Sequence, residues 1–529
     1  MRRIFLMLAA LFAALAAPVQ AETVLRTDEV AVGEMDPYKA KDVADSILLY
    51  NLYDTLVFPA LDGSGSGIKP HLAEKIDIDG ITYTITLREG VKFHSGNVLD
   101  ADDVVFSINR MNALGQGFSY LFKGRIKDVV AKDKRTAVVT LAKPYAPFYA
   151  ALLRLAILDK DDVLAHKEAG KFGEFGDYGQ KYLHGNSAGT GAYRRVSHDP
   201  QQLTVMKKFK DYFAGHAAKA PDVVRQRYSL KDPTILALMS RGEQDLANQW
   251  IGPETQRSLI GLKGVTMLKE PGIAQYFIKL NTTKAPLDDV HCRRALSYAL
   301  DFKAIHGQRR ITDDIVGAKP SKGPLLETMM GYDPTMPDFA QDMKKAKAEL
   351  AQCKYKPGDH RIEITWIAEV SWEERMALLM QQNWGVLGFK SDVVRVPWVL
   401  FTERVAKPET TPHVGQINYN ARTPDPDAYL YTLYHSSTHG QYNAMEYLKD
   451  DEVDRLLDEG RSTTDSAKRK GIYTKLIRRI VDLRPSIYGF QMVNLYPKRD
   501  VVMVPTLEKP NMNTGLMGGN MIFRIMEMK

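Results

Sequence analysis

Strand-like and helix-like patterns take turns along most of this 529-residue chain, and that alternation narrows it to α/β folds more than any other property. Ile81-Thr82-Tyr83-Thr84-Ile85-Thr86-Leu87 alternates with period two and is rich in β-branched residues, as a half-buried strand is. Asp100 then N-caps a helix running from Ala101 to Met111. Asp102 and Asp103 suit the positive helix start, and Val104, Val105, Ile108 and Met111 form its apolar face. Thr136 to Leu141 is another strand, with Pro144 and Pro147 framing the loop after it. Beyond Ile278 the helical patterns lengthen, as at Cys292, Ala295, Leu296, Ala299 and Leu300 and at Met376, Leu379, Met380 and Leu387. Strand-like runs at Ile362–Ile367, Ser391–Val396 and Val414–Asn418 separate them. Nearer the start, Thr23 to Thr27 reads as a strand and Met35-Asp36-Pro37-Tyr38 as a loop. An apolar helical run from Val43 to Leu56 ends at the Gly-Ser tract 63–67.

The first residues point to a compartment. Arg2 and Arg3 precede an apolar run from Ile4 to Ala17, and Val19-Gln20-Ala21 supplies a peptidase site, so a secretory leader cut after Ala21 is expected. The run is shorter than the ~20 residues a spanning helix needs. With no Cys at the cleavage point, a lipid anchor is not expected, and the product is a periplasmic protein. Hydrophobic content of 44% and charge of 26% fit a globular chain with a large core. A formal charge of +7, carried by scattered basic residues, leaves no nucleic-acid footprint. Cys292 and Cys353 are an even pair in an oxidising compartment, which favours a disulfide over two buried thiols.

Motifs with catalytic or metal chemistry do not hold up. Gly185-Asn186-Ser187-Ala188-Gly189 matches G-x-S-x-G, but Tyr193-Arg194-Arg195-Val196 reads as strand where that mechanism needs a helix. A periplasmic hydrolase using Ser187 is kept as the alternative from another class. Asp77-Ile78-Asp79-Gly80 lacks the other ligands of a calcium loop and reads as a hairpin turn. The twelve histidines show no metal-ligand spacing, and Gly170-Lys171 is followed by Phe172 rather than a P-loop hydroxyl. No catalytic residue, metal or cofactor is expected.

Several blocks together resemble one family. They are Leu72-Ala73-Glu74 through Ile81 to Gly96, Asp100-Ala101-Asp102-Asp103-Val104-Val105-Phe106-Ser107, Lys143-Pro144-Tyr145-Ala146-Pro147-Phe148 and Gly189-Thr190-Gly191-Ala192-Tyr193. Asn281-Thr282 and Arg294-Ala295-Leu296-Ser297-Tyr298-Ala299-Leu300-Asp301 complete the set in order. The chain thereby resembles the dipeptide-, oligopeptide- and nickel-binding receptors of ABC importers, solute-binding protein family 5, departing at Ala192 where the family usually has Pro. The resemblance implies a two-lobed α/β periplasmic-binding-protein fold (type II, cluster C) with an additional α/β domain and a hinge. Lobe I would comprise 22–70, 186–270 and 495–529, the additional domain 71–185, and lobe II 271–494. It further implies a monomer that encloses a small-molecule or peptide ligand by hinge closure and presents it to a membrane permease.

The resemblance also locates the ligand residues. Relatives hold a peptide ammonium with an Asp just upstream of an Asp-Pro pair in lobe II, and dipeptide receptors add an Arg for the carboxylate. Here Tyr419-Asn420-Ala421-Arg422-Thr423-Pro424-Asp425-Pro426-Asp427 places Arg422 where that Asp is expected, flanked by Tyr419 and Asn420. The loop Ala368-Glu369-Val370-Ser371-Trp372 has no Arg at the carboxylate position, leaving Glu369 and Trp372 as its contacts. A cleft-facing guanidinium suits a carboxylate, phosphate or vicinal hydroxyls. Equally, Arg422 would only shape its loop by pairing with Asp425 or Asp427. Trp398, Trp250 and Met35 complete the expected contacts, with core packing the competing role for each Trp. The expected ligand is a peptide-like or other polar organic solute. A carbohydrate or an anionic sugar–amino acid conjugate is the alternative, and a metal or haem receptor is a third reading.

Overall fold

The computed structural model describes residues 22–529 except 31, 33, 41, 65, 66, 369, 371 and 421, with backbone alone at 273 and 399. The expected leader and Glu369 lie outside the described residues.

β1 (Val24–Glu29) starts the first sheet, pairing in parallel with Val223–Tyr228, beyond which Leu203–Lys208 and Tyr193–Asp199 run antiparallel. A second four-stranded sheet is formed by Ala73–Asp79, Thr82–Leu87, Thr136–Leu141 and Ile126–Asp133, in that spatial order. Asp77 and Asp79 sit on its first strand and pair with Thr84 and Thr82, so the acidic run is hairpin, closed at Gly80 with φ 58°.

α1 (Ala101–Leu114) packs beside this sheet. Its start is a reciprocal cap, in which Asp100 accepts from first-turn N–H groups and the Asp103 carboxylate accepts from the Asp100 N–H. It runs one turn past Met111 and stops at Gly115, whose φ of 64° only glycine adopts cheaply. Phe106 and Arg110 join Val104, Ile108 and Met111 on the buried face, while Val105 is half-buried. The Arg110 guanidinium grips Asp36 through bonds of 2.8 and 2.5 Å and gives its Nε–H to the Tyr178 carbonyl. That pair is fully buried.

One apolar cluster runs unbroken from Leu25 and Leu48 through Ile85, Val104 and Phe148 to Met526. Residues 71–185, expected to form a separate domain, therefore share one apolar cluster with residues from 22–70, 186–270 and 495–529. The apolar run expected to stay helical to Leu56 leaves the helix after Leu52, because another segment crosses there. A Cβ on Gly189 or Gly191 would fall 2.3 Å from the Leu52 carbonyl group, so only glycine lets the two backbones meet. Ser187 lies in this extended crossover, which enters the strand Tyr193–Asp199 and makes no strand-to-helix turn.

The third sheet has six strands. β2 (Val265–Leu280) pairs antiparallel with β3 (Val414–Asn420) on one side and with β4 (Ser486–Arg499) on the other. Arg361–Ile367 and Lys390–Val396 extend it beyond β3, and Ala318–Lys319 caps β4. β2 crosses the expected lobe boundary at 270/271, and β4 crosses the one at 494/495. Leu246 bridges Thr27 of β1 and Lys498 of β4, so one end of the pair joins the first sheet. The ladder shifts register between Pro271 and Gln275, where proline offers no N–H and Gly272 takes φ 81°. Farther into lobe II, Cys292 and Cys353 are disulfide-bonded, with Cα atoms 5.0 Å apart.

Candidate functional site

β3 ends on Tyr419 and Asn420, and a short loop leads to Asp425, the N-cap of α2 (Pro426–Tyr434). Proline at the first helical position fits that start, and the Asp425 carboxylate accepts from the Asp427 N–H at 2.8 Å. The acids of this loop are already committed. Arg469 of α3 (Ser466–Leu483) holds Asp425 with bonds of 2.6 and 2.7 Å. Arg461 holds Asp427 at 2.9 and 3.2 Å, and the Tyr145 hydroxyl donates to the same carboxylate at 3.2 Å. Burial pushes the Asp427 carboxyl up, and Arg461 offsets that in part.

Arg422 therefore does not pair with Asp425 or Asp427. Its Nη1 meets the Met517 sulfur at 2.9 Å, its guanidinium lies 5.5 Å from the Tyr419 ring, and its carbonyl accepts from Arg154 at 2.6 Å. Among the described residues it joins no ion pair within 4.0 Å. It faces a cavity of about 390 Å3 between lobe II and the 71–185 unit. Tyr120, Arg125 and Tyr145 line one side, and Tyr419, Tyr431, Tyr442 and Arg461 line the other. Arginines and tyrosines interleave. Arg125 lies 4.0 Å over the Tyr145 ring, and Arg461 lies 3.1 Å from the Tyr431 centroid. The seam is closed by direct bonds, including Ala146 N–H to the Arg461 carbonyl at 3.0 Å.

The other expected contacts are dispersed. Trp398 stands edge-on to Tyr442 at 4.9 Å, behind the cavity wall, and Asn420 is half-buried at the end of β3. Trp372 packs against Tyr276 and Phe490 with the Arg309 guanidinium 5.3 Å away, which places it at the lobe II core instead of the cavity. Met35 is fully buried in the core shared by lobe I and the 71–185 unit, with no surface left for a ligand. Trp250 is 51% exposed on lobe I, its indole N–H donating to Glu29 at 3.1 Å. Sequence reasoning missed Arg125, Arg461 and the tyrosines other than Tyr419, although Tyr145 lies inside one of the family blocks. Among the described residues there is no group of three or more metal-ligating side chains and no helix long and apolar enough to cross a membrane.

The Trp250 anchor carries a pH dependence. Burial pushes the Glu29 carboxyl from an ordinary 4.5 up to about 8, against the lowering effect of the Val30 and Trp250 N–H groups. The folded chain thus holds this proton more tightly than the unfolded one. The stability it contributes is complete below 4.5 and lost as pH rises through about 8. Glu29→Gln should flatten the fall in melting temperature across that window relative to wild type. Parallel pH profiles for the two proteins would remove Glu29 as the cause.

Comparisons with known proteins agree on the architecture. The family model of bacterial extracellular solute-binding proteins, family 5 middle, matches residues 67–441. Heme-binding protein A of Haemophilus influenzae is 30% identical, over 77% of this chain and 76% of its own length. The probable D,D-dipeptide-binding periplasmic protein DdpA of Escherichia coli is 26% identical, over 86% of each chain. The solved structure of Helicobacter pylori DppA, a periplasmic binding protein in complex with peptide STSA, superposes with a TM-score of 0.75 at 24% identity. It covers 96% of this chain and 98% of its own.

Proposed function

We propose, for a chain that belongs to the bacterial extracellular solute-binding proteins of family 5, that its ligand is a compact, anionic, peptide-like solute. Membership gives the role: a periplasmic receptor that captures a solute between its lobes for an ABC importer. Arg422 carries the ligand's sign. Its guanidinium faces the cavity while both neighbouring carboxylates are held by Arg469 and Arg461. A half-buried guanidinium without an anion is unfavourable, and a ligand carboxylate would complete it through two parallel bonds. Among the described residues lining the cavity a free ammonium finds no uncommitted acid, since Asp427 already takes Arg461 and Tyr145. The tyrosines supply flat faces and hydroxyls for the body of the solute.

A sugar–amino acid conjugate meets the same demands, because tyrosine faces also take a pyranose ring. Mass spectrometry of the ligand released from denatured protein separates the two. Calorimetry with an N-acetylated dipeptide and its methyl ester tests the charge. The acid should bind and the ester should not, and Arg422→Ala should weaken the acid by about tenfold or more. Equal affinity for acid and ester, or an unchanged affinity in Arg422→Ala, would remove this reading.

A further inference from the structure

We infer that the ligand carries two anionic groups, one held by Arg422 on lobe II and the other by Arg125 on the 71–185 unit. This rests on the anionic reading of the cavity and extends it to a second charge. Among the described residues three guanidiniums line the cavity, on Arg125, Arg422 and Arg461, against the single carboxylate of Asp427. Arg461 claims that carboxylate with two bonds, and Tyr145 adds a third. Among the described residues neither Arg125 nor Arg422, one from each side of the seam, has an ion pair of its own within 4.0 Å, although Arg125 stands near enough to Asp427 to lower its carboxyl.

Arg125 is built to stay where it is. Its N–H donates to the Phe122 carbonyl at 2.9 Å, and its own carbonyl accepts from Ala142 at 2.7 Å, which fixes the backbone at the edge of the second sheet. The guanidinium is stacked 4.0 Å above the Tyr145 ring. Its Nε is buried with no hydrogen-bond partner among the described residues, so the cavity meets the guanidinium through its terminal Nη–H groups. Ring stacking offsets part of the charge, but it satisfies none of the N–H donors. A carboxylate entering from the cavity would supply both the acceptor and the counter-charge. The ligand class is then an amine-blocked peptide, or similar conjugate, with a terminal carboxylate and one acidic side group. Arg125 acts as the specificity-determining residue that reads the second acid. Because Arg125 and Arg422 stand on opposite sides of the seam, a diacid also ties the two sides together.

The test compares N-acetyl-Phe-Glu with N-acetyl-Phe-Gln, which match in size and differ by one carboxylate. Wild type should prefer the diacid by about tenfold or more. Arg125→Met should bring the two probes within about twofold by weakening the diacid alone, and Arg125→Lys should retain part of the preference. Arg422→Ala should weaken both probes. Equal wild-type affinities overturn the inference. So does an Arg125→Met variant, folded by its melting temperature, that weakens both probes alike or neither. In those cases a loss in Arg422→Ala still upholds the anionic reading. If wild type binds neither probe, esterification and mass spectrometry of the released natural ligand decides: two acidic groups uphold the inference and fewer overturn it.

Discussion

Replacing Arg110 by alanine should lower the unfolding free energy by about 3–5 kcal/mol, because it strands a buried carboxylate. Arg110 and Asp36 are both fully buried and joined by two short bonds, so the lone Asp36 would keep its desolvation cost without its partner. Asp36 also accepts from the Tyr38 N–H at 3.1 Å, which shapes the loop beneath the shared core. The change would therefore loosen the contact between lobe I and the 71–185 unit as well as removing a charge pair. Chemical denaturation of Arg110→Ala, Asp36→Leu and the Arg110→Met/Asp36→Leu double variant checks this. The double variant should lose far less than Arg110→Ala, since an apolar pair of similar volume leaves no stranded charge. A loss below about 1 kcal/mol in Arg110→Ala would show that the pair does not hold the two units together.

Breaking the Cys292–Cys353 bridge should cost about 4 kcal/mol on the chain-entropy account, given the 61-residue separation it closes. The bridge ties the helix Val290–Ala299 to the segment after Met343–Leu350, and neither contributes a residue to the cavity lining. Stability and binding should consequently separate. The Cys292→Ser/Cys353→Ser double variant should unfold at lower denaturant and ignore added reductant, yet keep its ligand affinity within about twofold. A wild-type midpoint that does not move on reduction would sink the estimate.

Elements that follow from local pattern are legible in the residues themselves. The period-two run at Thr82–Leu87, the Asp100 cap and the strands at Thr136–Leu141 and Val414–Asn420 all stand within a residue or two of where the pattern puts them. The early helix ends sooner than its pattern because Gly189 and Gly191 press on Leu52 from more than a hundred residues away, which no local periodicity encodes. Arg422 stands out as a guanidinium in a segment where the family resemblance leads one to expect an acid. Its freedom from Asp425 and Asp427 does not, because Arg469 and Arg461 reach those acids from later helical segments. Arg125 gives no signal at all. It sits among ordinary polar residues and gains meaning only when the second sheet brings it to Tyr145 and the cavity. Met35 and Trp372 mislead for the opposite reason: an apolar side chain near a cleft segment has the same pattern whether it faces ligand or core.

The ladder break at Pro271–Gly272 lies in strands that run from the third sheet toward the first, and we propose it as the place where a two-lobed chain of this kind would open. A protein with a single open–closed equilibrium has an apparent dissociation constant equal to the intrinsic one divided by the closed fraction. Changes at the strand break alter that fraction and so scale the affinity for every solute by one common factor. Changes at Arg422 or Arg125 act on the intrinsic constant and alter the ratio between solutes. On that proposal, sensitivity and selectivity would be set in different parts of the chain, and each could be tuned without disturbing the other.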